Sequence, residues 1–278
     1  MTIANLRDVL GPAMAGNYAV AGLVVLGWED AKAYVEAAEE TGLPVILQAG
    51  PGCRKHIPVP ILGKMFRYLA DQASVPVVCH IDHARTLEEC CEGIEHGFSS
   101  VMIDGSMLPL EENIALTGRV VETAQNCGVS VEGEVGIVGY ANGTHSENTS
   151  AEEAAEFECE TGVDALAISV GNLHLQTEKA AEINLASLHA IEAVTRVPLV
   201  LHGGSGIASE MRRKLAVSSR VKKLNIGTEL RMSFGASIRA SLAAQPDEFD
   251  RNRLLSPTIF SSRHAAVSIL KELGHPSV

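Results

Sequence analysis

Eight short apolar runs of β-forming residues recur along the chain, each separated from the next by a longer stretch of helical period, and this alternation limits the fold more than any other feature. The runs are YAVAGLVVL (18–26), PVILQA (44–49), VPVVCHI (75–81), SSVMID (99–104), VSVEGEV (129–135), DALAIS (164–169), VPLVLH (197–202) and VKKLNIG (221–227). Strands of a parallel sheet covered on both faces have this continuous apolar character. The stretches between them, such as EDAKAYVEAAEETG and EENIALTGRVVETAQNCG, begin with acidic residues and stop at glycine, as the two ends of a helix favour. Eight β-α units in 278 residues predict an α/β fold closed into a (β/α)8 TIM barrel, ahead of a doubly wound open sheet. No Pro/Ser-rich linker or composition break divides the chain. One barrel domain is therefore expected over 1–278, with an amphipathic C-terminal helix at 256–274 that packs on the barrel or on a partner.

Charge narrows the partners. With 34 acidic against 22 basic residues the net charge is −12, which repels phosphate backbones and anionic lipid and so argues against nucleic acid and membranes. No run approaches the roughly 18 apolar residues of a membrane span, and no basic segment precedes an apolar leader, so a cytoplasmic location is expected. The six cysteines (Cys53, Cys79, Cys90, Cys91, Cys127, Cys159) lack C-x-x-C spacing. They read as reduced, mostly buried thiols.

In such barrels the chemistry gathers at the C-terminal ends of the strands, and the polar residues of this chain collect there. Asp82 and His83 follow the third run, Asp104 ends the fourth, Glu132 and Glu134 lie in the fifth, Asn172 and His174 follow the sixth, His202 ends the seventh and Asn225 lies in the eighth. His83, His174 and His202 arrive at one rim from three strands. Three imidazoles suit Zn²⁺ better than Mg²⁺ and leave a coordination position open. His80 is read as turned away from the face of Asp82, in a packing or supporting role. Asp82 is either a carboxylate supporting the metal ligands or a proton carrier. Asp104 is either part of the site or a cap for the following loop. Glu132 and Glu134, two apart on one strand face, are costly inside a barrel unless they meet a cation or a proton. LHGGSG (201–206) and NIGTE (225–229) follow the last two strands, where barrels commonly bind phosphate on freed backbone N–H groups.

Together these residues identify a resemblance. GNYAV (16–20), EAAEETGLPVILQAGPG (36–52), HIDHA (80–84), GFSSVMIDGSMLPLEENI (97–114), VSVEGEVG (129–136), TGVDALAISVGNLH (161–174), HGGSG (202–206) and KLNIGTEL (223–230) resemble the class II, zinc-dependent fructose-bisphosphate/tagatose-bisphosphate aldolase family over nearly the whole length. The resemblance implies His83, His174 and His202 as zinc ligands, with Glu134 near the metal as an alternative ligand. It implies Asp82 as the acid/base at C4, Asn225 on the ketone half, and Gly203, Ser205 and Thr228 as the cradle for the phosphate of dihydroxyacetone phosphate. Asp104 matches an acid that orders the site, and a monovalent cation, Na⁺ or K⁺, accompanies the phosphate in some members. A sugar phosphate substrate and a homodimer or homotetramer are implied as well.

Several positions depart from the family pattern. The loop after EVG reads IVGYANGTHSENTS, with Ala141 and Asn142 where two acids are usual; Glu147 or His145 is the expected substitute if the loop folds over the site. Leu175 stands where glycine usually follows the zinc ligand, Leu23 and Val24 replace a Phe-Asn pair, and Gly50 removes a hydroxyl. Arg54, Arg251, Arg253 and Arg263 are candidates to meet a second anionic group. An aldolase acting on an altered ketose phosphate is the expected function. The rival is a zinc- and phosphate-binding barrel without turnover that serves as an accessory subunit; a metal hydrolase explains the phosphate cradle less well.

Overall fold

The computed structural model describes residues 2–141, 143 and 145–274. Among the described residues there are nine strands: β1 Ile3–Ala4, β2 Val20–Val24, β3 Val45–Ala49, β4 Val77–Ala84, β5 Ser100–Ile103, β6 Ser130–Val135, β7 Ala165–Ile168, β8 Leu199–Leu201 and β9 Val221–Ile226. The helices are α1 Leu6–Gly16, α2 Trp28–Thr41, α3 Pro51–His56, α4 Val59–Gln72, α5 Leu87–Glu95, α6 Leu110–Gln125, α7 Ala151–Thr161, α8 Leu185–Val194, α9 Ser209–Ser218, α10 Thr228–Ala244 and α11 Arg251–Leu273. Strands β2 to β9 pair in parallel in the order β4-β3-β2-β9-β8-β7-β6-β5, and β5 returns to β4. The sheet is closed, so the open-sheet alternative is excluded and the (β/α)8 barrel is the fold.

Strand alternation sorts the side chains. Leu23, Leu47, Ile81, Val101, Leu166, Leu201 and Leu224 belong to the core between barrel and helices. Gly133 lets α7 come close: a Cβ there would stand 2.6 Å from Phe157. The inward positions divide by height. Val20, Ile46, Val78, Met102, Ala165, Ala167 and Val200 form one apolar cluster with Leu6, Val9, Leu10 and Ala13 of α1, which plugs the N-terminal mouth. The plug is fixed by a capping box, with the Asn5 side chain accepting from the Asp8 N–H and Asp8 accepting from the Asn5 N–H. The two-residue β1, absent from the expected strands, pairs with Val77 and Val78 just before β5 joins β4 at His80. Above this apolar floor the inward residues are polar, and they build the site.

The last helix begins at Arg251 rather than 256, on an Asp250 cap, and packs against α2 and α10. No described helix is long and apolar enough to cross a membrane. All six cysteines are free. Cys53, Cys79 and Cys90 are buried, but Cys127 and Cys159 are exposed, so burial of the thiols holds only in part.

Candidate active site

The third apolar run continues as strand to Ala84, one residue past the polar pair Asp82-His83, and the pairing with β5 slips there. His83 has φ +51°, a left-handed conformation that is uncommon for a non-glycine residue. This bulge is how two neighbours on one strand both serve the rim. Arg54 secures it: its Nη1 donates to the carbonyls of Ala49 and Asp82, each at 2.5 Å, and its Nη2 donates to the His83 carbonyl at 3.2 Å and to Glu89 at 3.1 Å. Arg54 is therefore fully engaged and is withdrawn as an anion-binding candidate. Arg253 pairs with Glu248 and Asp250, and Arg263 with Glu36 and Glu40.

His83, His174 and His202 come together as expected from the rim. One ring nitrogen from each lies within 4.8 Å of the others, and the ring centroids are 4.6 to 5.5 Å apart. The Nδ1–H of His83 is donated to Asp104 at 2.7 Å, which leaves Nε2 for a metal. His202 contacts Glu132 through Nε2 at 3.2 Å, while its fully buried Nδ1 has no hydrogen-bond partner. Glu134 Oε2 is likewise buried without a partner, 3.6 Å from the Nδ1 atoms of both His83 and His202. Orphaned buried lone pairs converging on one point are costly unless a cation meets them, so the donor set fits a metal.

Electrostatics agree. Burial holds His202 well below the usual imidazole range and brings His174 down to about 3, keeping both neutral, as metal ligands must be. Burial also opposes a charge on His83, but Asp82, the hydrogen bond to Asp104 and the Glu134 carboxylate push it up to about 9. Burial and the nearby Asp104 charge raise Glu134 to about 8. Asp104, although buried, is held well below the usual carboxylate range by His83, Ser106 and Arg85. The same carboxylates that favour a proton on His83 favour a dication in its place.

Beneath the histidines lies a pair that the sequence did not single out. Lys223 Nζ donates to Glu132 Oε2 at 2.6 Å, and neither side chain is exposed. Lys223 lies below the cavity floor and does not line it, so it is not placed as a nucleophile. His80 faces the interior with Asp82, contrary to the expectation. Residues two apart share a strand face, and His80 contacts Ser100 at 2.8 Å through Nδ1 and Glu132 at 3.8 Å through Nε2.

The cavity above, about 360 Å³, is lined by Asp82, His83, His174, Leu175, Gly203, Ser205, Asn225 and Thr228, with Tyr140, Arg231 and the residues of β2 and α3. Gln48 Nε2 donates to Asp82 Oδ1 at 2.8 Å and Asn225 Nδ2 does so at 3.4 Å, so one oxygen is held and the carboxylate is aimed. Gly203 has φ +66°, and a Cβ there would strike the Leu173 carbonyl. Thr228 opens α10 after Gly227, which provides no side-chain cap, and Ser205 Oγ accepts the Glu229 N–H at 3.2 Å. A helix start whose N-cap residue has no side chain, beside a glycine turn, suits an anion. Arg231, one turn into α10, adds a cation to that wall and was missed in the sequence because nothing in its spacing marks it.

Glu147 is not brought to this cavity. Its backbone pairs with Ile137, and its carboxylate is exposed beside His145 at 3.7 Å, in a separate groove. Neither residue reaches the metal-binding set; Asn142 lies outside the described residues. Tyr140 of the same loop does reach it, stacking on the His174 ring at a centroid distance of 4.9 Å while the loop backbones pair. Leu175 has φ +58°, which explains the usual glycine at that position. Asn172 ties its loop to the His202 carbonyl through Nδ2 at 3.1 Å.

A family model for fructose-bisphosphate aldolase class-II matches residues 4–275. The chain is 34% identical over 281 residues to the fructose-bisphosphate aldolase of Geobacillus stearothermophilus, covering 99% of this chain and 98% of the relative. It is 35% identical over 280 residues to the 6-phospho-5-dehydro-2-deoxy-D-gluconate aldolase of Shouchella clausii, covering 99% and 95%. The crystal structure of the YdjI aldolase from Escherichia coli K12 matches with a TM-score of 0.88 at 31% identity, covering 98% of both chains. Relatives of nearly equal identity thus carry names with different substrates.

Proposed function

Since the chain belongs to the class-II fructose-bisphosphate aldolase family and is a carbon-carbon lyase, we propose that it is a zinc-dependent enzyme cleaving a ketose phosphate to dihydroxyacetone phosphate, or a close analogue, and an aldehyde. One observation carries this reading: three imidazoles and a buried orphan carboxylate oxygen converge beside a cavity that Asp82, the Gly203 turn and the start of α10 also line. His83, His174 and His202 would hold the metal, and nitrogen donors favour zinc. When bound, the metal supplies Lewis-acid stabilisation of the negative charge left as the C3–C4 bond breaks. Asp82 accepts the C4 hydroxyl proton as that hydroxyl becomes an aldehyde, and returns it in the reverse direction. Gln48 and Asn225 keep its carboxylate in register for that transfer. Gly203, Ser205 and Thr228 hold the donor phosphate, with Arg231 balancing its charge.

Calorimetric titration of the metal-stripped protein with Zn²⁺ is expected to give one tight site per chain. In His202→Ala that site is lost or weakened by at least about a hundredfold while the fold persists. Undiminished binding in His202→Ala would locate the metal elsewhere and overturn the assignment.

A further inference from the structure

A second cavity of about 370 Å³ adjoins the first, and Leu26 and Arg231 stand in the walls of both. Helix α3 links them on the other side. Pro51, Gly52 and Cys53 at its start line the first cavity, and His56 at its end, with Ile57, lines the second. The start of α3 is beside the acid/base: a Cβ on Gly50 would stand 3.6 Å from Asp82 Oδ2. With the donor phosphate over β8 and β9, the part of the substrate beyond C4 leaves Asp82 across β3 and β2, toward Leu26 and the second cavity.

The chemistry along that path is not that of a phosphate site. Val24, Leu26, Gly50, Pro51, Gly52 and Cys53 offer neither a cation nor a hydroxyl. Of the guanidiniums near the path, Arg231 belongs to the donor-phosphate wall, and Arg54 is engaged by three backbone carbonyls and Glu89. Farther out the wall is aromatic and aliphatic, with Trp28 and Ile61 41% and 57% exposed. Its charged side chains are Arg251, Glu29 and Asp30, with Arg231 shared with the donor-phosphate wall of the first cavity, so they add no net positive charge of their own. A dianion has no net attraction here, whereas a chain with an apolar face has a surface to cover.

We propose that this second cavity is the subsite for the aldehyde half, and that it takes an unphosphorylated aldehyde longer than three carbons with an apolar face. The proposal rests on the aldolase reading above and deepens it. It is tested in the synthetic direction, with dihydroxyacetone phosphate and glycolaldehyde, glyceraldehyde, glyceraldehyde 3-phosphate, pentanal or phenylacetaldehyde as acceptors. kcat/KM is expected to rise at least about tenfold from glycolaldehyde to the two longest acceptors, the scale of a few methylenes in an apolar pocket. Glyceraldehyde 3-phosphate is expected to gain nothing over glyceraldehyde. Trp28→Ala and Ile61→Glu, at exposed positions outside the catalytic cavity, are expected to remove most of the long-acceptor advantage. Both should leave glycolaldehyde turnover and proton exchange on the donor unchanged. A clear preference for glyceraldehyde 3-phosphate, a flat acceptor series, or variants that slow every acceptor equally would overturn the subsite. Donor exchange that persists beside a flat series would leave the aldolase reading standing; its absence from the wild-type protein would overturn both.

Discussion

Asp82→Asn is expected to cut aldol cleavage and synthesis by roughly 10²–10⁴-fold, the usual contribution of a positioned acid/base. The amide is nearly isosteric, so the contacts with Gln48 and Asn225 have room to re-form, and zinc binding through the three histidines should be retained. The loss should therefore fall on kcat, with phosphate affinity little changed. An accessory barrel without turnover would respond differently. It would have no ketose phosphate cleavage to lose, and its ligand affinity would be the same in the variant. Rate measurements beside phosphate titrations on both proteins separate the two.

Lys223→Met is expected to destabilise the fold by about 3–5 kcal/mol, because it leaves Glu132 buried without its cation. The 2.6 Å pair lies deep in the barrel, where neither partner touches water. Removing both charges in Lys223→Met/Glu132→Gln should recover much of that loss, since a neutral pair leaves no uncompensated charge. Urea denaturation of the wild type, the single variants Lys223→Met and Glu132→Gln, and the double variant gives the coupling. Lys223→Met within about 1 kcal/mol of wild type would contradict this role for the pair. The pair also bears on the metal. Glu132, held by its contact with Lys223, accepts from His202 Nε2–H and so leaves Nδ1 as the lone pair that faces the site.

The barrel was legible because most of its strands are apolar runs alternating with stretches of helical period, and because residues at equivalent strand ends must arrive at one rim. That logic brought His83, His174 and His202 together before any distance was known. What it could not give depends on contacts between distant residues. The bulge at Asp82-His83 rests on a slipped pairing with β5 and on the Arg54 clamp, and Arg54 read simply as a free cation. Glu132 was read as needing a cation or a proton, but Lys223, 91 residues away, carries no mark that it is that cation. Glu147 or His145 was the expected substitute if the loop folded over the site, and a loop has no period from which to tell whether it does. The pairing of the Glu147 backbone with Ile137 turns the carboxylate outward. The two-residue β1 is too short to give any pattern.

Proton exchange on dihydroxyacetone phosphate in D₂O, followed by NMR with the zinc-loaded protein, tests the central claim most directly because it needs no knowledge of the aldehyde. The account predicts progressive loss of one C3 hydroxymethyl proton signal, stopped by a chelator and restored by Zn²⁺. Zinc-loaded protein that binds dihydroxyacetone phosphate yet leaves that signal intact would contradict it.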